Sequence, residues 1–180
     1  SFKLTAGITS IPSYMFYGCQ GLKSIDIPDT VTSIGSYAFY RCYALESITV
    51  GENITSIGSS AFYQCHGLRT IHFNAKALGN LSSNNSVFYE AGKNADGITV
   101  NIGAAVTQIP NYLFYPSSYS NDYAPKITSV VFAKDCICTT IGQYAFTGNS
   151  YLLTLTLPES IATIGTKAFY QCTRLIEIEN

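Results

Sequence analysis

The feature that most constrains this chain is an internal repeat. Residues 31–50 read VTSIGSYAFYRCYALESITV, and nearly the same pattern returns at 54–73 as ITSIGSSAFYQCHGLRTIHF. Related units account for nearly all of the sequence, and they begin at Ile8, Val31, Ile54, Leu78, Val106, Cys138 and Ile161. Their spacings are 23, 23, 24, 28, 32 and 23 residues. A period of this size is typical of an array in which each unit packs on its neighbours.

Each regular unit carries two groups of apolar residues. One is an alternating triplet such as Leu45, Ile48 and Val50, which is typical of a strand with one buried face. The other includes one phenylalanine per unit: Phe16, Phe39, Phe62, Phe88, Phe114, Phe146 and Phe169. One unit cannot bury this surface alone, but stacked units place like residues in ladders about 5 Å apart. The pattern predicts an α/β repeat solenoid with a right-handed parallel sheet and short helical or 3-10 turns on the convex side.

The phrase SIGSYAFYRCYALESITV, with its A-F-x-x-C-x-x-L core, resembles the BspA-type leucine-rich repeats of secreted or surface proteins in anaerobic bacteria and some parasitic protists. The resemblance covers about the full chain. It implies a curved leucine-rich-repeat solenoid with a role in adhesion or host interaction, and it names no catalytic residues. We therefore expect residues 1–180 to form one solenoid of about seven units, a fragment of a longer protein.

The composition argues against several classes of function. Charged residues make up 12% of the chain and the net charge is −1, so nothing favours nucleic acid or an anionic membrane as a partner. No apolar run approaches the roughly 18 residues of a membrane span, so direct membrane insertion is not expected. The two histidines, His66 and His72, have no convergent acidic partner, so we expect no enzyme, cofactor or metal site.

The six cysteines divide into two groups. One repeat position holds Cys19, Cys42, Cys65 and Cys172, and Asn149 takes it in the sixth unit. A position that accepts Cys or Asn favours an interior ladder of reduced thiols that meet backbone groups, although disulfides or metal ligands remain alternatives. Outside this ladder, Cys138 takes an apolar position and is expected to be buried, whereas we expect Cys136 to be exposed.

Tyrosine is over-represented, with 14 residues that follow the repeat. Six of them directly follow the phenylalanine: Tyr17, Tyr40, Tyr63, Tyr89, Tyr115 and Tyr170. Four precede it by two positions: Tyr14, Tyr37, Tyr112 and Tyr144. Such ladders could stack sugar rings or anchor a protein partner. Because they follow the repeat so closely, we favour the alternative that they are semi-buried rungs holding the solenoid together.

The repeat expands in two adjacent units. The fourth has three extra residues between Phe88 and Val100, and the fifth has seven between Phe114 and Val130. Both expansions precede the strand, so we expect loop 89–97 and loop 115–126 to lie side by side. Their Tyr, Ser, Asn and Gly content is typical of binding loops, and the alternative is a drifted repeat that tolerates floppy loops. The candidate ligand-binding residues are Tyr89, Lys93, Asn94, Asp96, Tyr115, Tyr119, Asn121, Asp122 and Tyr123, with His72 and Asn101 on the outward, concave strand face.

These observations favour a non-catalytic recognition or adhesion module of a secreted or cell-surface protein. Its partner would be a host or cell-surface protein, or a glycan. The main alternative is a purely structural spacer that self-associates end to end, because no polar capping unit is seen at either end of the repeat.

Overall fold

The structure is a computed structural model, and it describes residues 2–117 and 121–179, with the side chains of residues 121 and 179 left aside. This part of the chain contains no α-helix, fourteen short strands and one 3-10 helix, Asn121–Tyr123. The strands are β1 Phe2–Lys3, β2 Ser10–Ile11, β3 Ile25–Asp26, β4 Ser33–Ile34, β5 Ser47–Val50, β6 Ser56–Ile57, β7 Thr70–Phe73, β8 Ile98–Ile102, β9 Gln108–Ile109, β10 Ile127–Phe132, β11 Thr140–Ile141, β12 Thr154–Thr156, β13 Thr163–Ile164 and β14 Glu177–Glu179.

All strand pairs are parallel, as the repeat predicts. The alternating triplets form the longer strands, which pair in the order β10–β8–β7–β5, with β1–β3 and β12–β14 as separate pairs. Equivalent residues lie opposite each other, so that Ile48 pairs with Ile71 and Ile71 with Val100. The Ser-Ile, Thr-Ile and Gln-Ile segments form two further sheets of two-residue strands, β2–β4–β6 and β13–β11–β9. Each regular unit therefore contributes two strands to the stack.

The core between these strands and the Ala-Phe corner is a stack of phenylalanine rings. Neighbouring rings from Phe16 to Phe169 have centroids 5.1–5.5 Å apart, and all but the tilted Phe88–Phe114 pair are stacked. The five rings between Phe39 and Phe146 are at most 1% exposed. The ladder spacing of about 5 Å expected from the sequence is confirmed.

The Ala-Phe corner is built from consecutive turns rather than from a helix. In the second unit, Tyr37 and Arg41 have φ angles of 58° and 59°, and the equivalent residues of most other units are also positive. Positive φ angles four residues apart turn the N–H groups of Tyr37, Phe39 and Arg41 toward the next unit. There they donate to backbone carbonyls at 2.8–3.0 Å. The expected helical or 3-10 corner turns are not seen in the described residues, where the single 3-10 helix belongs to loop 115–126.

Units four and five interrupt this regular pattern. The short strand is missing from unit four, and β10 and β12 belong to separate sheets. Asparagine side chains bridge part of the interruption: Asn80 Oδ1 accepts the Asn111 N–H at 3.0 Å, and Asn111 Oδ1 accepts the Gln143 N–H at 2.9 Å. The apolar core nevertheless passes through both units without a break.

The glycines that follow the short strands are required for close passage of the backbone. A Cβ on Gly35, Gly58, Gly142 or Gly165 would lie 2.3–2.5 Å from a backbone nitrogen of the preceding unit. None of the four has a positive φ. Close approach of two backbones therefore selects glycine here.

Replacing Gly58 by alanine tests this packing. We expect Gly58→Ala to lower the free energy of unfolding by about 1–3 kcal/mol, because its Cβ would clash with the backbone of Ser36. Gly51→Ala is the matched control, since nothing lies within 4 Å of its Cβ, and it should change stability by less than about 0.5 kcal/mol. Urea unfolding measures both values. Equal effects of the two substitutions would contradict the close-passage explanation.

Candidate functional site

The two expanded loops lie side by side and are joined by backbone hydrogen bonds. The Glu90 N–H donates to the Tyr123 carbonyl and the Lys126 N–H to the Ala91 carbonyl, both at 2.9 Å. The Lys126 Nζ donates to the Ala95 carbonyl at 2.8 Å. These bonds make loop 89–97 and the described part of loop 115–126 one continuous edge, which is the geometry that the position of the insertions predicts.

Loop 89–97 is also fixed to the third unit. The N–H groups of Gly92 and Asn94 donate to the carbonyls of Cys65 and His66, both at 3.0 Å. Gly92 has a φ of 70°, and a Cβ there would lie 2.6 Å from the Ile98 side chain. Asp96 forms an exposed ion pair with Arg69 at 3.3 Å. This loop is a defined part of the fold, which does not fit a merely drifted, floppy segment.

The fifth unit continues the tyrosine row with Tyr123 instead of the predicted Tyr115. The Tyr123 ring stacks on Tyr89 with centroids 5.1 Å apart, and its carbonyl accepts the inter-unit hydrogen bond that the residue after the phenylalanine accepts elsewhere. Tyr115 is only 7% exposed and packs edge-on against Tyr112 and Tyr144. The prediction that Tyr115 is a rung of this row and a surface candidate is therefore wrong.

The cause is Pro116. It stands where other units place a residue with positive φ, such as Arg41 at 59° and Glu90 at 52°. Proline fixes φ near −65° and has no N–H to donate, so the corner cannot continue there. The positive φ moves to Ser117, at 56°, and Tyr123 takes the place in the row. The proline at this repeat position is the sequence signal that could have predicted the shift of the rung from Tyr115 to Tyr123.

The row containing Tyr89 and Tyr123 is a stack of five tyrosines. The successive centroids are 4.9, 4.9, 4.2 and 5.1 Å apart along Tyr17, Tyr40, Tyr63, Tyr89 and Tyr123. Each inner ring has a neighbour stacked against both faces, so a sugar ring cannot stack on it. This packing favours the interpretation of the inner tyrosines as structural rungs.

Glu90 is a buried carboxylate that the sequence analysis did not single out. Its Oε2 accepts a hydrogen bond from Gln64 Nε2 at 2.7 Å, and its Oε1 pairs with Lys93 Nζ at 2.5 Å. His66 Nε2 lies 3.8 Å from Oε2. Burial raises the pKa of Glu90, but the hydrogen bonds from Lys93 and Gln64 and the charges of Lys93 and His66 outweigh it, so the pKa lies below its ordinary value.

A cleft of about 400 Å³ opens where the two loops meet the sixth unit. Lys126 Nζ lies 5.5 Å from the centroid of the Tyr151 ring at its wall. The cleft combines two ammonium groups, two carboxylates, a hydroxyl and an aromatic ring, so it can offer hydrogen bonds of both polarities and an apolar face. It is lined by Glu90, Lys93, Asp122, Ala124, Lys126, Ser150 and Tyr151.

The structure brings together only some of the predicted site residues. Lys93 and Asp122 line the cleft, whereas Asn94 is exposed beside it. His72 and Asn101 lie opposite each other on β7 and β8 and are not part of the cleft lining. Tyr119 lies outside the described residues, and Asn121 begins the 3-10 helix. Sequence reasoning missed Glu90, Lys126, Ser150 and Tyr151, because none departs from the composition of its surroundings.

The six cysteines are free thiols, and four of the five buried ones donate to backbone carbonyls of neighbouring units. Cys42, Cys65 and Cys172 each contact the carbonyl of the preceding unit's phenylalanine at 3.1–3.2 Å. Asn149 donates to the same kind of carbonyl, that of Phe114, at 3.3 Å. Burial raises the pKa of Cys42 to about 12 and that of Cys172 to about 11, which makes them poor nucleophiles. The predicted interior ladder is confirmed for Cys42, Cys65 and Cys172, whereas Cys19 in the first unit is exposed, so its predicted place in the interior is wrong.

Cys136 is also buried, at 6% exposure, and its Sγ contacts the Gly103 carbonyl at 3.5 Å. The expectation that it is exposed is wrong, because the turn after β10 folds the thiol back against the fourth unit. Within residues 2–117 and 121–179, no group of three or more His, Cys, Asp or Glu side chains could hold a metal ion. The same residues include no helix long and apolar enough to cross a membrane.

Thiol labelling tests this assignment. We expect iodoacetamide to modify Cys19 alone in the folded protein, because the other five thiols are buried, and to modify all six in denaturant. Intact-mass measurement counts the labelled thiols, and Cys19→Ser should reduce the native count to zero. Rapid labelling of Cys136 in the folded protein would contradict its burial.

Replacing Glu90 by glutamine tests the ionised network. A carboxylate whose pKa is lowered on folding stabilises fully above its unfolded pKa, and this contribution is lost as the pH falls through the folded pKa. We expect Glu90→Gln to cost about 1–3 kcal/mol at neutral pH. The wild-type protein should also lose stability more steeply than the variant as the pH falls below 4.5. Urea unfolding over a pH series measures both effects.

The matched control is Glu52→Gln, which removes an exposed ion pair with Lys76. Such a pair contributes about 0–1 kcal/mol, so this variant should follow the wild-type pH dependence closely. Parallel pH curves for the wild type and Glu90→Gln would show that the Glu90 charge does not stabilise the fold.

Comparison with known proteins agrees with this geometry. Structural similarity is found to a leucine-rich cell surface protein of Faecalibacterium prausnitzii, with 26% identity, a TM-score of 0.60 and coverage of 98% of this chain and 46% of that one. A leucine-rich repeat protein of Eubacterium ventriosum has 29% identity, a TM-score of 0.70 and coverage of 94% and 42%. The chain thus spans less than half the length of each. No curated protein matches the chain.

The sequence model described as "BspA type Leucine rich repeat region" matches residues 1–121 and 117–180 in six copies. Together these segments span the whole sequence. The repeated A-F-x-x-C-x-x-L core, the parallel ladders and the thiol ladder are the structural counterparts of that match. The chain belongs to the BspA-type leucine-rich-repeat family.

Proposed function

We propose that this chain is a non-catalytic recognition module of a secreted or cell-surface protein, and that it binds a host or cell-surface protein or a glycan. The observation that carries the proposal is the edge formed by loop 89–97 and loop 115–126. The only two expansions before the strand occur in neighbouring units, and they are hydrogen-bonded to each other beside a polar cleft. Insertions in repeat proteins commonly map to the binding face.

The physical basis of binding would be preorganisation. Loop 89–97 is tied to the third unit through two backbone hydrogen bonds, and Lys126 is held by the Ala95 carbonyl. Side chains that are already positioned lose little conformational entropy when a ligand arrives, so more of the contact energy appears as affinity.

The chemistry of the cleft suits a polar, uncharged or zwitterionic surface. Lys93 and Glu90 neutralise each other, while Asp122 and Lys126 add one charge of each sign. Tyr151, at 40% exposure, provides an aromatic surface of the kind that anchors protein side chains and sugar rings. The buried, high-pKa thiols support a non-catalytic role.

The surface location is supported by the family and by one relative that is described as a cell surface protein. The resemblance to BspA-type repeats implies a role in adhesion. The two structural relatives are more than twice as long as this chain, so the activity of the whole protein is part of the proposal.

The alternative is a structural spacer array. The observation that favours it is the tyrosine row, in which the inner ring faces are occupied by neighbouring rungs. Under this alternative the expanded loops would have no ligand and could be removed without functional loss.

Shortening loop 115–126 distinguishes a recognition module from a structural spacer. Deleting residues 116–122 removes the seven extra residues, Pro116 among them, and leaves Tyr115 directly after Phe114, which restores the regular length and the regular order of a phenylalanine followed by a tyrosine. The probes are an array of immobilised glycans and a panel of immobilised extracellular-matrix proteins. We expect the wild type to bind at least one probe, and the deletion variant to fold but lose at least ten-fold in affinity, which is about 1.4 kcal/mol.

Two point variants refine this test. Lys126→Ala and Tyr151→Ala change the cleft wall without shortening a loop, and each should weaken binding of the same probe. The matched control is Lys76→Ala, which removes an exposed lysine far from the cleft lining and should bind normally. Binding that survives the deletion and both point variants, or a wild type that binds no probe, would overturn the proposal.

A further inference from the structure

The closest aromatic contact in the described part of the chain joins Tyr63 to Tyr89. Their ring centroids are 4.2 Å apart and the planes differ by 7°, whereas the other stacked tyrosine pairs have centroids 4.9–5.1 Å apart. The two rings come from the third and fourth units. They overlap because equivalent atoms of successive units are related almost by a translation.

The phenol groups of this pair also lie close enough to interact. Each hydroxyl affects the pKa of the other, after the larger effect of burial. Burial raises the pKa of both phenols, so both are protonated at neutral pH. Both side chains are half-buried, with one edge open to solvent, so a diffusible oxidant can reach them.

We propose that Tyr63 and Tyr89 form an oxidative cross-linking site, at which a peroxide-driven one-electron oxidant joins the two rings as dityrosine. The pair is already held ring on ring, so coupling needs no encounter between distant side chains. Each unit keeps its place through the backbone ladder, which holds the two rings together during the lifetime of the radicals.

The chemistry balances without any group from the protein. Each phenol loses one electron and its phenolic proton, giving two phenoxyl radicals. The radicals form one carbon–carbon bond between their ortho positions, and the two ortho hydrogens move to the oxygens as the rings regain aromaticity. The two electrons and two protons reduce one hydrogen peroxide to two waters, through a peroxidase.

The bond would tie the third unit to the fourth at the base of loop 89–97, since Tyr89 is the first residue of that loop. A covalent link between residues 63 and 89 restricts the unfolded chain, so the cross-linked protein should be more stable. This inference is independent of any ligand of the cleft and stands or falls separately from the proposed function.

The experiment treats the purified chain with a haem peroxidase and hydrogen peroxide at several protein concentrations. We expect dityrosine fluorescence, a mass loss of two hydrogens per chain and a higher Tm. Trypsin cleaves after Arg41, Arg69, Lys76 and Lys93, so Tyr63 and Tyr89 fall in separate peptides, 42–69 and 77–93. The 42–69/77–93 adduct should be the most abundant linked product, and its yield should not depend on protein concentration.

Phenylalanine variants assign the bond, because they keep the stacked rings and remove only the hydroxyl. Tyr63→Phe and Tyr89→Phe should each abolish the 42–69/77–93 adduct. Tyr112→Phe, in a stacked pair whose centroids are 5.0 Å apart elsewhere in the fold, is the matched control and should leave that adduct unchanged. The proposal is overturned if the adduct survives Tyr89→Phe, if other pairs link in equal yield, or if linked chains are mainly intermolecular.

Discussion

The rest of this structure depends on the register in which neighbouring units align their equivalent residues. Backbone hydrogen bonds hold this register at a spacing of about 5 Å. A helix at the Ala-Phe corner would use its amides internally and leave none for the next unit. The positive φ of Tyr37 and Arg41 instead turns three amides outward, at a cost of about 1–2 kcal/mol per strained residue. Once the backbones are in register, identical side chains must stack, and the phenylalanine, tyrosine and thiol ladders follow.

The candidate site arises where this register is interrupted. Pro116 cannot supply the positive φ or the amide that the corner requires, and Tyr123 takes the rung instead of Tyr115. The missing backbone bonds nearby are partly replaced by the side-chain amides of Asn80 and Asn111. The fold therefore keeps its core, and the described part of loop 115–126 packs against loop 89–97.

Sequence reasoning was reliable where one residue determines its own environment. The phenylalanine stack and the buried part of the thiol ladder each follow from the residue that occupies one repeat position. It failed where the outcome depends on the path of the chain between units. Tyr115 and Tyr123 are chemically the same, and only the backbone geometry at Pro116 decides which of them takes the rung. Cys136 was misjudged for the same reason, since its burial depends on how the turn after β10 folds back.

Glu90 connects the scaffold to the cleft, and its position explains how a buried charge is tolerated there. Its N–H donates to the Tyr123 carbonyl, as the corner ladder requires, while its carboxylate accepts from Gln64 and Lys93. Gln64 in turn accepts a hydrogen bond from Arg41 Nε at 2.9 Å, so a polar chain runs beside the tyrosine row through three units. Burying one carboxylate is unfavourable unless it is paired and hydrogen-bonded; here Gln64, at the equivalent position of the third unit, donates the hydrogen bond, and Lys93, in the same loop, supplies the opposite charge. The cleft wall is thus fixed by the same periodicity that builds the core, which is why the repeat can present a defined site at the place where it is broken.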